Sequence, residues 1–342
     1  MKGISLRNPK TPEYCELEDF ILDKENWAKI EVKAVGLCGS DIQKIFSDKH
    51  PSSYLKTSIL GHEFSGQITD IKSTNKKNKI GDRVTAIPLI PCYSCEPCKN
   101  GQKQLCKNLK YIGKDLPGAF AEYVSVPVTN IRKIPENLNY ETAALTDVAA
   151  VAVHCYHLAD SPKNKDILVY GDGTVALSCL QLFHIKGNKV TLIGKHKKNL
   201  ETAESMGAYI VDYLVTKKIL YDSYDYVIEA VGRRQDQTIL ESINLVKPKG
   251  NIIVCGVFDE GHKGAFPFRD LFYKEAKLIG SNSYGEWNNI NEFDCALKML
   301  EDGNIDYSPI ITHILPLKDF TYGINLINNK DKSGVIKIIY KP

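Results

Sequence analysis

Apolar and polar residues follow a strand-like pattern in the first part of the chain. Residues 28–35 and 66–71 alternate with a period of two, which is typical of half-buried β-strands. Gly and Pro interrupt this region often, so the apolar runs stay short. The pattern predicts an irregular β-rich barrel or sandwich rather than layered helices.

From residue 166 onward the pattern changes to continuous apolar runs. Residues 166–170 (DILVY) and 189–193 (KVTLI) are predicted to be buried strands, and the segment between them has helical periodicity. Residues 225–230 and 251–257 are further strand candidates, each beside a glycine-containing turn. Strands that alternate with helices imply crossover connections and a parallel sheet. The pattern therefore predicts an α/β domain here, and the alternating residues 335–340 (VIKIIY) are predicted to add a strand to the first domain.

Length and composition narrow the class of protein. A chain of 342 residues fits two domains of ordinary size, and 43% hydrophobic with 25% charged residues is typical of a globular protein. The net charge of +3 gives no indication of a nucleic-acid partner. No apolar run reaches the ~20 residues that cross a bilayer, and the N-terminus lacks an apolar signal sequence. We therefore expect a cytoplasmic protein with no membrane partner, whose ten cysteines are first of all candidate metal ligands.

Four cysteines form a C-x2-C-x2-C-x7-C pattern in a segment rich in Pro, Lys and Asn. They are Cys92, Cys95, Cys98 and Cys106. Two-residue gaps let thiolates converge on one tetrahedral centre, as a structural zinc ion requires. An iron–sulfur cluster could use the same ligands, but no separate cluster motif is present. The remaining alternative is four free surface thiols, which would be open to oxidation.

A second candidate metal site combines a thiol, an imidazole and a carboxylate. Cys38 lies in GLCGSD, and His62 and Glu63 lie in GHEF, each after a β-like run. Ligands of these types suit a catalytic zinc ion that keeps one position open for water or substrate. The spacing alone also fits an ordinary buried cysteine and a hydrogen-bonded histidine. His154 and His157, one helical turn apart, are predicted to be packing or surface residues.

The segment after residues 166–170 carries a glycine fingerprint, G-x-G-x-x-A, that ends at Ala176. A strand before it and a helix after it are the context in which such a loop binds a dinucleotide. The residues predicted to contact the pyrophosphate are Gly171, Gly173, Thr174 and Val175. Asp172 departs from expectation, since it places a carboxylate inside a loop that must meet phosphate.

The end of the second predicted strand lacks the acidic residue that would hold an NAD ribose. Residues 194–198 read GKHKK instead, and the candidate cofactor contacts there are Gly194, Lys195 and Lys198. Cations in place of the acid provide room and charge for a 2′-phosphate, so NADP(H) is predicted to be preferred over NAD(H). The alternative is a solvated helix start that happens to be basic.

GLCGSD, GHEFSG, the four-cysteine loop and the glycine fingerprint occur in the order found in one enzyme family. Over essentially the whole chain the sequence resembles the zinc-containing medium-chain alcohol dehydrogenases, and within them the polyol branch. The resemblance implies a β-rich GroES-like catalytic domain (1–145 and 296–342), a Rossmann-type dinucleotide-binding domain (146–295), and an active site between them. It also implies two zinc ions per chain, and a homodimer or homotetramer built through the dinucleotide-binding domains, for which residues 276–285 (AKLIGSNSYG) could pair at a strand edge.

The resemblance assigns roles to individual residues. Cys38 and His62 become zinc ligands, and Glu63 lies at the metal as ligand or exchange partner. Asp147 occupies the position of the third protein ligand, where the family usually has Glu; alternatively it caps the helix-like residues 148–158. Ser40 matches the residue whose hydroxyl relays the alcohol proton; alternatively it is a turn residue.

The function that the resemblance implies is hydride transfer between NADP(H) and a sugar alcohol, a ketose or their phosphates. Zinc would polarise the substrate oxygen while a proton passes through Ser40. One alternative is an alcohol dehydrogenase for simple secondary alcohols, in which Cys would be expected as the third ligand. The other is a catalytically silent binding protein of the same fold, which would be expected to lose the metal or relay residues.

Overall fold

The computed structural model describes residues 1–53, 55–74, 76–212, 220–233 and 236–342 of the chain, and these form two compact units. Unit 1 comprises Met1–Asp147, Gly285–Asn329 and Lys337–Pro342. Unit 2 comprises Val148–Tyr284 and Lys330–Ile336. These units differ from the sequence-based division at three places, because residues 146–147 and 285–295 fall in unit 1 and residues 330–336 fall in unit 2.

The secondary structure follows the chain as a β-rich part, an α/β part and a mixed C-terminal part. The strands are β1 (Lys2–Asn8), β2 (Thr11–Glu16), β3 (Trp27–Gly36), β4 (Glu63–Lys72), β5 (Arg83–Ala86), β6 (Leu89–Ile90), β7 (Lys110–Tyr111), β8 (Tyr123–Pro127), β9 (Ile131–Lys133), β10 (Asp166–Tyr170), β11 (Lys189–Gly194), β12 (Tyr209–Asp212), β13 (Tyr224–Glu229), β14 (Val246–Val254), β15 (Lys277–Gly280), β16 (Glu286–Trp287), β17 (Ile290–Asn291), β18 (Ile311–Pro316) and β19 (Lys337–Lys341). The helices are α1 (Gly39–Ile45), α2 (Glu96–Lys99), α3 (Tyr140–Ala144), α4 (Thr146–Leu158), α5 (Thr174–Ile185), α6 (Lys197–Ser205), α7 (Gln237–Leu245), α8 (Phe268–Lys274), α9 (Glu292–Glu301), α10 (Phe320–Asn328) and α11 (Lys330–Ser333). Short 3₁₀ turns occur at Pro51–Ser53, Lys103–Leu105, Val128–Asn130 and Leu317–Asp319.

The main sheet of unit 1 is built around β3 and β4. Its strand order is β18-β19-β3-β4-β5-β9, and β8 also pairs with β3. Alternate residues of β3 are fully buried, as a strand with one face on the core requires: Ala28, Ile30, Val32 and Ala34. β19 pairs antiparallel with β3, which confirms the prediction that the C-terminal alternating run adds a strand here.

Unit 2 contains the predicted parallel sheet. Its order is β12-β11-β10-β13-β14-β15, and each neighbouring pair is parallel. The predicted strand at 251–257 ends earlier, at Val254, because the backbone N–H groups of Cys255 and Gly256 turn to the Glu229 carbonyl at 2.8 and 2.9 Å. The Gly171 loop follows β10 and Lys195 follows β11, so both lie at the carboxyl edge of the sheet, where open α/β sheets bind ligands.

Within the described ranges, every helix is too short or too polar to cross a bilayer.

Candidate active-site residues

Cys38, His62 and Glu63 come together where the end of β3 lies beside the start of β4. Gly36, the last residue of β3, pairs with Glu63, the first residue of β4. One ligand atom from each of the three candidates lies within 4.8 Å of the others. His62 and Glu63 are buried and Cys38 is half-buried. Antiparallel pairing thus joins two motifs that the sequence alone left separate.

Asp41, in the first turn of α1, supports two of these residues. One carboxylate oxygen lies 3.4 Å from His62 Nδ1, and the other accepts the Cys38 backbone N–H at 3.2 Å. A carboxylate beside Nδ1 favours a proton on that nitrogen and leaves Nε2 as the available ligand atom. Sequence reasoning did not single out Asp41. Its signal is the acid three residues after Cys38 in GLCGSD.

Lys337 on β19 is a second supporting residue that the sequence analysis missed. It forms a buried ion pair with Glu63 and donates to the Leu37 carbonyl at 3.0 Å. Burial lowers the pKa of Lys337, but the charges of Glu63, Cys38 and Asp41 and the hydrogen bond to Glu63 together raise it above its ordinary value. A Cβ on Gly36 would lie 2.3 Å from the Glu63 carboxylate, so Gly36 permits this approach. The sequence signal for Lys337 was a single charge inside an apolar terminal strand.

Asp147 lies within α4 as its second residue and is 7% exposed. It is therefore not the N-cap, and the capping alternative is wrong, although an acid in the first turn still suits the helix dipole. Asp147 lies near the buried phenol of Tyr111. The pKa of Tyr111 is raised well above its ordinary value, first by burial, then by the charge of Asp147 and then by that of Cys38. The Tyr111 ring also contacts His62 edge-on, at 5.5 Å between centroids. Asp147 thus carries its charge close to the cluster without joining the three mutually close ligand atoms.

The other predicted residues near these motifs have simple placements. Ser40 is the second residue of α1 and is partly buried. His154 is buried and His157 partly buried on α4. Across the described part of the chain, neither histidine belongs to a group of mutually close ligand atoms.

The charges around Cys38 and His62 fit a bound dication. Burial lowers the pKa of His62, but the charges of Asp41 and Cys38 outweigh it and raise that pKa well above its ordinary value. A proton is thus drawn to the imidazole because negative charge accumulates in a buried place. Sulfur, imidazole nitrogen and carboxylate oxygen are the ligands that zinc takes in proteins. The donor set therefore fits zinc.

The four-cysteine loop also converges. The sulfur atoms of all four lie within 4.8 Å of one another: Cys92, Cys95, Cys98 and Cys106. Helix α2 begins directly after Cys95 and brings its sulfur within 3.4 Å of the Cys98 sulfur. This arrangement argues against four separate surface thiols.

Donors around this loop favour thiolates. Backbone N–H groups of Cys92 and Asn108 each donate to the Cys106 sulfur at 3.3 Å. A hydrogen bond from Ser94 is the first cause that lowers the pKa of Cys92 to about 5, whereas burial raises the pKa of Cys98 to about 12. Neighbouring thiols thus differ widely in acidity, because the Ser94 hydrogen bond stabilises the Cys92 thiolate whereas burial disfavours that of Cys98. The set fits a closed tetrahedral zinc site.

In unit 2, the glycine loop has the geometry expected of a dinucleotide-binding turn. Gly171 has φ +118°, a conformation that favours glycine. Gly173 is the N-cap of the twelve-residue helix α5, and a Cβ added there would meet no atom within 4 Å. Thr174 and Val175 form the first turn of α5 and are partly buried. Free space in front of a helix N-terminus suits a pyrophosphate.

Asp172 points away from this space, toward the end of β11. Its Oδ2 accepts the backbone N–H groups of Lys195 and His196, both at 2.8 Å, and its carboxylate lies 2.9 Å from His196 Nδ1. Burial raises the pKa of Asp172, but its hydrogen bonds with His196 outweigh burial and lower it. A Cβ on Gly194 would lie 2.7 Å from the Asp172 Cβ, so Gly194 allows the contact. The carboxylate that the strand end lacks in sequence is thus supplied from the loop.

The predicted lysines remain available to a ligand. Lys195 and Lys198 are exposed at the start of α6. Gly334 lies beside the Lys198 side chain, and a Cβ at Gly334 would lie 3.5 Å from the Lys198 Cγ, which is ordinary van der Waals contact. This edge therefore carries both basic side chains and one buried carboxylate.

Two family models match most of the chain. The model of the alcohol dehydrogenase GroES-like domain matches residues 24–136, and that of the zinc-binding dehydrogenase matches residues 174–302. Galactitol 1-phosphate 5-dehydrogenase of Escherichia coli (strain K12) is 28% identical over 325 residues, covering 91% of this chain and 92% of the relative. D-arabitol-phosphate dehydrogenase of Enterococcus avium is 29% identical over 334 residues, covering 94% of this chain and 92% of the relative.

Solved structures show the same fold. The crystal structure of galactitol-1-phosphate dehydrogenase from Escherichia coli superposes with a TM-score of 0.89 at 24% identity, over 100% of both chains. A zinc-binding dehydrogenase structure from Sinorhizobium meliloti 1021, bound to NADP, gives a TM-score of 0.87 at 25% identity, over 100% of this chain and 99% of that one.

The fold combines a GroES-like part with a Rossmann-like part, as in medium-chain dehydrogenases. The protein is therefore an oxidoreductase that acts on a small molecule with zinc and a nicotinamide cofactor. The chain belongs to the zinc-containing medium-chain alcohol dehydrogenase family and is similar to its polyol dehydrogenases. The resemblance and the fold class inferred from the motifs are thereby confirmed.

Proposed function

We propose that the protein transfers a hydride between NADP(H) and a sugar alcohol, a ketose or their phosphates. The observation that carries the proposal is the buried cluster of Cys38, His62 and Glu63, with ligand atoms within 4.8 Å of one another. The substrate class is supported by the relatives, whose names refer to galactitol 1-phosphate and arabitol phosphate.

The residues of unit 1 have distinct tasks in this reaction. Cys38 and His62 would hold zinc, which when bound supplies a Lewis acid for the substrate oxygen. Asp41 fixes the His62 ring through Nδ1, and Lys337 pairs with Glu63 and orients its carboxylate. Ser40 would relay the alcohol proton, because its hydroxyl can accept that proton while it passes its own toward the cofactor ribose.

The third protein ligand is proposed to be Asp147 rather than Glu63. Glu63 already pairs with the buried Lys337, which competes for its charge. Asp147 is buried at the start of α4, and its charge, like that of Cys38, raises the pKa of Tyr111. Glu63 then serves as the exchange partner.

Two zinc ions per chain are proposed, one in this cluster and one in the four-cysteine loop. The two sets of ligands are separate in sequence and each converges on its own. Zinc content also tests the alternatives: a silent binding protein predicts only the ion of the four-cysteine loop, whereas an enzyme predicts both.

NADP(H) is proposed to be preferred because Lys195 and Lys198 are exposed at the end of β11. Asp172 opposes this preference, since its carboxylate occupies the backbone N–H groups at the start of α6. Replacing Asp172 by Asn should therefore tighten NADPH relative to NADH by on the order of tenfold, the factor that corresponds to 1.4 kcal/mol. Fluorescence titration with both cofactors measures this ratio.

A homodimer or homotetramer is proposed, with unit 2 providing the contact. Among the described strands, β15 forms one edge of the parallel sheet. Beside it in sequence, α8 exposes three aromatic side chains: Phe268 (68%), Phe272 (76%) and Tyr273 (67%). An exposed strand edge with an apolar neighbour is a common site of self-association. We also propose a cytoplasmic location, because reduced cysteine clusters suit that compartment.

A turnover screen tests the proposal directly. Ketoses and polyols, with and without phosphate, are offered to the zinc-loaded protein with NADPH or NADP⁺. Turnover of sugar-like compounds, abolished in Cys38→Ser, is the expected result. Turnover of simple secondary alcohols alone would favour the other enzyme reading. Absence of turnover with every compound would contradict the proposal.

A further inference from the structure

Three cysteines outside both zinc clusters meet inside unit 2. Cys155 lies on α4, Cys179 lies on α5, and Cys255 directly follows β14. One sulfur from each lies within 4.8 Å of the other two. Two of the residues are fully buried, and Cys255 is 8% exposed. The sequence gives no sign of this group because its members come from three distant segments.

The surroundings make this group a sulfur-only site. In the part of the chain that the structure describes, no imidazole or carboxylate joins these three sulfurs within the same distance. The hydroxyl of Ser281, after β15, lies beside Cys255 and contributes a hydrogen bond that lowers the pKa of Cys255. Hydrogen bonds from Cys155 and Cys179 come first among the causes that lower the pKa of Cys255 well below its ordinary value.

We propose that Cys155, Cys179 and Cys255 bind a soft monovalent cation of the copper(I) class. Thiolates select soft ions such as Cu(I), whereas a structural zinc ion takes four ligands and this group offers three. Exchange of one thiol proton for a monovalent cation leaves the net charge of the buried cluster unchanged, which avoids the cost of burying a charge. Cys255 provides the entry point, because it alone of the three residues is not fully buried.

Binding balances without a redox step. The ion enters as Cu(I) and leaves as Cu(I), so no electron is transferred. One thiol, that of Cys255, releases its proton to the solvent, so one copper–sulfur bond replaces one S–H bond, and the sulfurs of Cys155 and Cys179 complete the coordination as neutral donors. The proposal is independent of the dehydrogenase reaction, since none of these cysteines belongs to the zinc clusters.

Metal counting on the zinc-loaded holoenzyme tests the site. The protein is incubated anaerobically with Cu(I) and a competing Cu(I) chelator, desalted, and analysed for copper and zinc by mass spectrometry. Wild type should retain one copper per chain with unchanged zinc content. Cys155→Ala and Cys255→Ser should each lose that copper, whereas Cys15→Ser should retain it, because Cys15 on β2 is outside every cysteine group.

Two results would overturn the proposal. One is equal copper in wild type and both variants, and the other is copper that displaces zinc one for one. Circular dichroism checks folding, and the near-isosteric Cys255→Ser decides the matter where Cys155→Ala does not fold. X-ray absorption at the copper edge of wild type should show sulfur neighbours only; nitrogen or oxygen neighbours would also overturn the proposal.

Discussion

Asp41 contacts both of the predicted zinc ligands, Cys38 and His62. Its carboxylate is fully buried, lies 3.4 Å from His62 Nδ1 and accepts the Cys38 backbone N–H. One side chain thus positions both predicted zinc ligands. A ring held in this way presents Nε2 with the correct tautomer.

The Asp41→Asn variant should bind zinc about 10–100-fold more weakly at the cluster, because a supporting carboxylate has been removed. Chelator competition on the purified protein measures the affinity. Asp48→Asn provides the control, since Asp48 is an exposed acid that pairs with Lys10. Equal zinc affinity in Asp41→Asn and wild type would contradict this role.

Lys337 tests the electrostatics of the same cluster. Lys337→Met should lower the free energy of unfolding by about 3–5 kcal/mol, because it leaves the Glu63 carboxylate buried without its partner. Denaturant unfolding at fixed zinc concentration measures the change. Lys341→Met removes a half-exposed partner of Glu141 and should cost at most about 1 kcal/mol. Similar losses in the two variants would show that Lys337 does not compensate Glu63.

Sequence reasoning found the candidate ligands at this scale but not their supports. Cys38, His62 and Glu63 were recognisable by residue type and motif, and the pairing of β3 with β4 brings them together. Asp41 is part of the GLCGSD motif, but the sequence does not show which residue it contacts. Lys337 could not be placed, because its contact with Glu63 depends on the return of β19 to β3.

At the scale of elements, the contact between the glycine loop and α6 is the feature that the sequence did not reveal. Asp172 was expected to be a difficulty for phosphate binding. Instead its carboxylate turns to the backbone N–H groups of Lys195 and His196. Strands and helices of this region followed the apolar periodicity, whereas the direction of one side chain depended on tertiary structure.

Removal of this contact should destabilise the protein in a pH-dependent way. Asp172→Ala should lower the free energy of unfolding at pH 7 by about 1–3 kcal/mol, because it removes a charged acceptor from the N–H groups of Lys195 and His196. Because the folded pKa of Asp172 is lowered, its contribution is present above the unfolded value near 3.9 and is lost as the pH falls through the folded value. The gap between wild type and variant should therefore close below about pH 4.

Denaturant unfolding at several pH values provides the measurement. Asp172→Asn is the matched variant, since it keeps hydrogen-bond acceptance but loses the charge. A gap that stays constant from pH 7 to pH 3 would show that the charge of Asp172 contributes nothing.

At the scale of the whole molecule, self-association should depend on the exposed aromatic face of α8. Phe272→Glu should shift the protein toward the monomer, because a charge at a 76% exposed aromatic position opposes burial of that face. Light scattering after size exclusion measures the mass. Tyr322→Glu on α10 is the control, since Tyr322 is also exposed but lies in unit 1. An oligomer that persists in Phe272→Glu would place the contact elsewhere.

The proposed hydride transfer depends on zinc held by Cys38 and His62. The most direct measurement is zinc content per chain, together with turnover, in wild type, Cys38→Ser and Cys98→Ser. Two zinc ions per chain are expected in wild type and one in each variant. Cys38→Ser should abolish turnover, although the four-cysteine loop of that variant still holds its zinc ion. A Cys38→Ser protein that still holds two zinc ions and turns over substrate would contradict it.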